Sequence, residues 1–306
     1  MRVIGQRNIS PDDPVVTSMY PRAALLACLI SAASCHHGAA RPSTNPARGT
    51  EPAEYEVYAI EYAGLKDLPV NALVADAEPA RKVDIAFMIW LIRGHGHTIL
   101  VDAGFYRERF LESWHPVGYV KPSLALARLG IKPEDVTDII ITHLHWDHAD
   151  GVDLFPNAHV WIQKDELRHY ASEAQSKPSN GGVFAEDVVP LVALEQHGKV
   201  TLVDGDDQAI LPGITAYTGG KHTFQSQFVG VQTSAGMVIL ASDNVYLYEN
   251  IDRHRPIAAT LDAESNLRAQ DRMKQLAGDP KRIIPGHDVL VMSRFEQPIP
   301  GVARIR

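Results

Sequence analysis

The chain has 306 residues, 45% hydrophobic and 22% charged, a make-up that fits a soluble globular protein and excludes a disordered or fibrous one. Its formal net charge of −8 argues against general nucleic-acid binding, because acidic surfaces repel phosphate backbones. The 2 cysteines, Cys28 and Cys35, both lie near the N-terminus, so a metal site elsewhere must be built from histidine and carboxylate.

In chain order the first predicted element is an export leader over residues 1–35. Arg22 precedes an apolar run over 23–30, then come Ser31, Ala32, Ala33, Ser34 and Cys35. The stretch 23–34 is too short for a bilayer span, which needs about 20 helical residues. The segment resembles a bacterial lipoprotein leader, with Met19 as initiator and Cys35 as the lipidated residue. That resemblance implies an exported protein, periplasmic or anchored to the outer membrane. Residues 36–53 lack hydrophobic period and are rich in small and polar residues, as a flexible tether would be. A single catalytic domain is expected over 54–306, since no long linker interrupts it.

Tyr55, Val57 and Ala59 open a first strand. Residues 85–92 and 98–101 read as a hairpin across Arg93-Gly94-His95-Gly96. Residues 122–129 have helical spacing through Leu124, Leu126 and Leu129, with Gly130 placed to end the helix. Ile139-Ile140-Ile141 is a short buried strand ending at Thr142. Further strands are expected at 158–162, 214–217, 228–233, 237–241 and 282–284, with helices at 164–170 and at 261–276 before Gly278. The stretch 172–182 reads as a surface loop beside a pocket. Hairpins without strict βαβ alternation point to antiparallel or mixed sheets covered by helices.

Directly after the Ile139–Ile141 strand comes Thr142-His143-Leu144-His145-Trp146-Asp147-His148-Ala149-Asp150-Gly151. Alternate residues leaving a strand share a side, so His143 and His145 can meet one cation, and the turn beyond them brings Asp147 and His148 to a second. His222, Asp243 and His287 each follow an apolar strand and a small-residue turn. Together these seven side chains suffice for two ions with an open position. Neutral imidazole and carboxylate suit zinc, and also iron, manganese or cobalt.

The His143-x-His145-x-Asp147-His148 motif, with His222, Asp243 and His287 downstream, resembles the metallo-β-lactamase superfamily over roughly residues 55–295. The resemblance implies an α+β fold, a four-layer αββα sandwich. It assigns His143, His145 and His222 to one metal, Asp147, His148 and His287 to the other, and Asp243 to a bridge. Leu100-Val101-Asp102-Ala103-Gly104 matches a superfamily turn whose aspartate supports the ligands. Within the superfamily the chain looks closest to N-acyl homoserine lactonases, which carry a tyrosine three residues after the bridging aspartate, as Tyr246 stands here. By that resemblance Tyr246 and Trp146 contact substrate, Asp147 and Tyr246 act in catalysis, and a metal-bound hydroxide opens a lactone in quorum quenching. Gly220-Lys221-His222 departs from the family's usual pattern around this ligand, which leaves acyl-chain preference open.

Phosphotriesterase and β-lactamase chemistry remain alternatives on the same ligands, and the non-enzymatic alternative is a metal-binding or sensor protein. Expected partners are a small lactone or ester, and a membrane only through the lipid anchor, with homodimerisation left open.

Overall fold

The computed structural model describes residues 55–306. The expected leader, the lipidation site Cys35 and the tether lie outside the described residues. The first half runs β1 (Glu56–Pro69), β2 (Lys82–Gly94), β3 (His97–Val101), α1 (Glu108–Trp114), α2 (Pro122–Leu126), β4 (Asp138–Ile140), α3 (Trp146–Ala149) and β5 (His159–Gln163). Next come α4 (Lys164–Ala174), β6 (Ser179–Asn180), β7 (Val183–Phe184), α5 (Ala185–Gln196), β8 (Val200–Val203), β9 (Gln208–Leu211) and β10 (Ile214–Thr218). The chain ends through β11 (Gln227–Thr233), β12 (Gly236–Ser242), α6 (Tyr248–Arg253), α7 (Ala263–Ala277), β13 (Ile283–Pro285), α8 (Leu290–Arg294), β14 (Glu296–Ile299) and β15 (Val302–Arg304).

These strands make an 8-stranded sheet, ordered β14-β15-β1-β2-β3-β4-β5-β8, and a 5-stranded sheet, ordered β13-β12-β11-β10-β9. Side-chain alternation in β2 explains how they stack. Ala86, Met88, Trp90 and Ile92 point into a core shared with Ala216, Val229, Val231, Val238 and Leu240 of the smaller sheet. Their neighbours Ile85, Phe87, Ile89 and Leu91 face the opposite way, into a core closed by Phe110, Leu126, Leu167 and Leu191 from the helices. Outside the smaller sheet, Tyr217, Phe228 and Ile239 pack against Ile251 of α6 and Ala269 and Met273 of α7. The result is helix, sheet, sheet, helix: the expected αββα sandwich.

Local chemistry sets the boundaries. The β2–β3 hairpin closes through His95 and Gly96, both at positive φ, matching the twist of the flanking strands. Asp262 caps α7 by accepting the Ser265 N–H at 2.9 Å, and Gly278 ends it at φ 66°. The helix expected over 122–129 is α-helical only to Leu126, continues as a 3₁₀ turn and stops at Gly130. Leu126 is buried but Leu124 is exposed, so the expected apolar face is narrower than its leucine spacing suggests. The loop expected over 172–182 is shorter too, because α4 extends to Ala174 and β6 and β7 pair as a two-residue ladder.

Candidate metal centre

All the residues that the sequence offers as ligands sit where strands end. His143 and His145 follow β4, His222 follows β10, Asp243 follows β12 and His287 follows β13. His145 lies on extended backbone at the start of α3, the one-turn helix that carries Asp147 and His148. The two sheets are joined at this edge by the Gln227 N–H, which donates to the Thr142 carbonyl at 2.8 Å.

The side chains converge as two groups. His143 Nε2 lies 3.1 Å and His222 Nε2 2.8 Å from His145 Nδ1. Asp147 Oδ2 lies 3.5 Å from His148 Nε2 and 3.7 Å from His287 Nε2. The Asp243 carboxylate is shared: Oδ2 is 3.3 Å from His222 Nε2 and 3.7 Å from His143 Nε2, while Oδ1 is 2.9 Å from His287 Nε2 and 3.2 Å from His148 Nε2. Gly286 permits that approach, because a Cβ there would meet Asp243 Oδ1 at 2.8 Å.

Four of the five imidazoles are oriented from behind, which frees the nitrogen that faces the cluster. His222 Nδ1 pairs with the Ala259 carbonyl at 2.7 Å, His287 Nδ1 with the Ala86 carbonyl at 3.0 Å and His143 Nδ1 with the Thr142 hydroxyl at 3.0 Å. His148 Nδ1 pairs with Asp102 Oδ2 at 2.7 Å. Asp102 also accepts from the Thr142 N–H and from the Ser242 hydroxyl, tying the ends of β3, β4 and β12 together. Asp102 and Ser242 both adopt the left-handed conformation, at φ 62° and 47°. Such backbone is unfavourable for a residue with a Cβ and persists where surrounding bonds enforce it.

Electrostatics fit cations. Burial, with the other imidazoles adding to it, holds His143 well below the ordinary histidine range and pushes His145 down to about 3. Both are therefore neutral at physiological pH, the state that offers a nitrogen lone pair. Burial opposes charge on Asp243, yet His287 and His148 hold it well below the usual carboxylate range. Burial likewise opposes a proton on His148, but Asp243, Asp147 and Asp102 draw positive charge to it and raise it well above the ordinary value. His148 Nε2 and Asp243 Oδ1 are buried and, although 3.2 Å apart, are not aligned as a hydrogen bond. Polar atoms orphaned in this way are costly unless a ligand satisfies them, and a nitrogen-and-carboxylate donor set suits two divalent ions.

Beside the cluster opens a cavity of about 170 Å³, lined by Leu65, Leu68, Leu73, Ile85, Phe87, Trp114 and Trp146 and by Tyr246, His145, Asp147, Asp243 and His287. Trp146 stacks with Phe110 at 4.6 Å and with Trp114 at 5.5 Å, so it both packs and lines the cavity. Tyr246 Oη is 3.4 Å from His222 Nδ1. Burial and the carboxylates Asp243 and Asp147 raise its pKa well above normal, so it stays a hydroxyl donor at neutral pH. The β6–β7 ladder reaches the site: the Gly182 carbonyl accepts the Trp146 N–H at 3.0 Å, and a Cβ on Gly182 would lie 3.1 Å from His145 Cδ2.

Every predicted ligand, together with Asp102, Trp146 and Tyr246, is thus brought to one rim. Not foreseen were the hydroxyls of Thr142 and Ser242, the cavity wall from β1 and β2, Trp114, and the buried Glu166 of α4. Glu166 left one signal in the sequence: it precedes Leu167 and stands four residues before Tyr170, on the buried face of its helix.

A sequence model of the Metallo-beta-lactamase superfamily matches residues 88–287. An N-acyl homoserine lactonase of Bacillus cereus is 28% identical over 243 residues, 74% of this chain and 91% of that one. A solved quorum-quenching N-acyl homoserine lactone lactonase superposes with TM-score 0.66 at 24% identity, over 80% of this chain and 97% of the other. An N-acyl homoserine lactone hydrolase with the product N-hexanoyl-L-homoserine at its catalytic metal center superposes with TM-score 0.65 at 22% identity, covering 80% and 98%.

Proposed function

The chain belongs to the metallo-beta-lactamase superfamily and is a metal-dependent hydrolase, and from that premise we propose that it opens the ring of an N-acyl homoserine lactone. One observation carries the substrate class: the Tyr246 hydroxyl, three residues after Asp243, lines an apolar cavity floored by the ligand cluster. The likeness to the Bacillus cereus lactonase, spanning 91% of that protein, supports the same reading.

His143, His145 and His222 would hold one ion, Asp147, His148 and His287 the other, and Asp243 both. Two divalent ions so held would lower the pKa of a bound water from about 15.7 toward about 7 and would polarise a carbonyl. The ligand set fits zinc, iron, manganese or cobalt, and zinc is the proposed native pair. Tyr246 donates its hydroxyl toward the carbonyl oxygen, where negative charge develops as the ring carbon becomes tetrahedral. Asp147 receives the proton of the attacking water and passes it to the departing ring oxygen. Water adds across the acyl C–O bond, leaving a free hydroxyl and a carboxylic acid that loses its proton to solvent. The aliphatic and tryptophan wall takes the acyl chain and excludes bulk water from the reacting atoms.

A panel of acyl-homoserine lactones, a phosphotriester and a β-lactam, each assayed before and after chelation, tests this. The expected result is chelator-sensitive ring opening of the lactones at the highest kcat/KM of the panel. Preference for the phosphotriester or the β-lactam, or turnover that survives complete metal removal, would refute it.

A further inference from the structure

Glu166 of α4 has no exposed surface, an expensive place for a carboxylate unless its oxygens are satisfied. Both are. Oε1 accepts the N–H of Leu144, at 3.1 Å, between His143 and His145. Oε2 accepts the N–H of Gln225, at 2.7 Å, three residues beyond His222. One side chain from a helix that bears no candidate ligand therefore grips both segments that carry the first ligand group.

We propose that Glu166 is a positioning residue that sets the separation of the His143/His145 arm from the His222 arm, and so the affinity of the first ion site. This rests on the reading that the two groups hold ions. The sheets do not depend on Glu166 to stay in register. Next to it the Gln227 N–H donates to the Thr142 carbonyl, Gln227 Nε2 donates to the Ile141 carbonyl at 2.8 Å, and Gln163 Nε2 donates to Gln227 Oε1 at 3.0 Å. Those bonds join the strand ends. Glu166 acts one step further out, where the backbone has left the strands and would otherwise choose its own course. The Gln225 bond, at 2.7 Å, has the length of a charge-assisted one, and the Leu144 bond, at 3.1 Å, is longer. Both segments reach α4 through backbone N–H groups, so the geometry is imposed on the main chain and transmitted to the imidazoles.

The test uses Co(II) binding by the full chain, read from visible absorption and from competition with a chelator. Glu166→Gln supplies one acceptor where two are needed and turns an NH2 toward one of the backbone donors. In a His287→Ala background, which weakens the second group and leaves the first, the substitution is expected to raise the Co(II) dissociation constant about 10- to 100-fold and to change the absorption envelope. In a His222→Ala background, where the second group remains, it is expected to leave both unchanged. Far-UV circular dichroism and melting of the metal-free protein are expected to stay close to the parent. Equal effects in the two backgrounds, or no effect in the first, would overturn the assignment.

Glu166→Asp, which keeps the charge but is too short to reach both N–H groups, is expected to weaken the first site in the same way. If neither variant folds, Glu166 is a packing residue and the proposal is wrong. Failure of the parent chain to bind cobalt would overturn both this proposal and the metal reading. Absence of lactone turnover with cobalt bound would overturn only the substrate reading.

Discussion

Asp243 is the side chain whose two oxygens face different ligand groups, so its replacement is felt by both. Asp243→Asn keeps the shape but removes the charge and one acceptor. Metal content by mass spectrometry is expected to fall below two per chain, with a loss of activity beyond the roughly 10- to 100-fold typical of outer partners. A variant with two ions and parental turnover would contradict the bridging role. Tyr246→Phe removes a hydroxyl aimed at developing charge, so kcat is expected to drop by up to about 100-fold with KM little changed. Steady-state kinetics on one lactone decide this. Ligand residues were readable in the sequence because ion binding demands particular donor atoms, and His143 to His148 present four of them within six positions. Glu166 was not, because a glutamate in a helix ordinarily faces water and its burial follows from how α4 packs.

At the scale of elements, the β6–β7 ladder meets the site through specific atoms rather than as a loose cover. Gly182→Ala adds a methyl against His145 at a position of φ 96°. The imidazole must move, and a loss of about 10- to 100-fold in kcat is expected from the misplacement. An unaltered rate would show that His145 tolerates the shift. On α5, Asp187 shares the Arg107 guanidinium with Asp150. One partly exposed cation cannot neutralise two buried carboxylates, and burial with the charge of Asp150 pushes Asp187 up to about 8. A folded-state pKa raised in this way favours the protonated native form. Its stabilisation is complete below the ordinary carboxylate range near 3.8 and is lost as pH rises through about 8. Melting temperature is thus expected to fall over that window, and Asp187→Asn is expected to flatten the slope. Equal slopes in parent and variant would contradict the raised pKa of Asp187. Elements with long apolar runs, such as β2 and β12, were legible from the sequence. The helices α1 and α5 and the strands β8, β9, β14 and β15 were not, since they are short or interrupted, as α5 is by Pro190, and take their form from neighbours.

For the whole molecule, ions that bind only the folded arrangement stabilise it by mass action. Chelation is therefore expected to lower the melting temperature of the full chain, and re-addition of zinc to restore it; a melt indifferent to both would argue that no resident ion is held. The proposed membrane anchor makes a separate prediction: Cys35→Ser is expected to move the protein from the membrane fraction to the soluble one on cell fractionation, and unchanged partition would exclude lipidation at that cysteine. No helix among the described residues is long and apolar enough to cross a membrane. The donors meet only at the C-terminal ends of strands from both sheets, with His222, Asp243 and His287 contributed late in the chain. A nascent or truncated polypeptide that stops short of His222 holds only a quartet of donors and no bridge. Capture of both metals therefore reports assembly as far as β13, and a copy that stops short of it lacks His287 and an intact second ligand group.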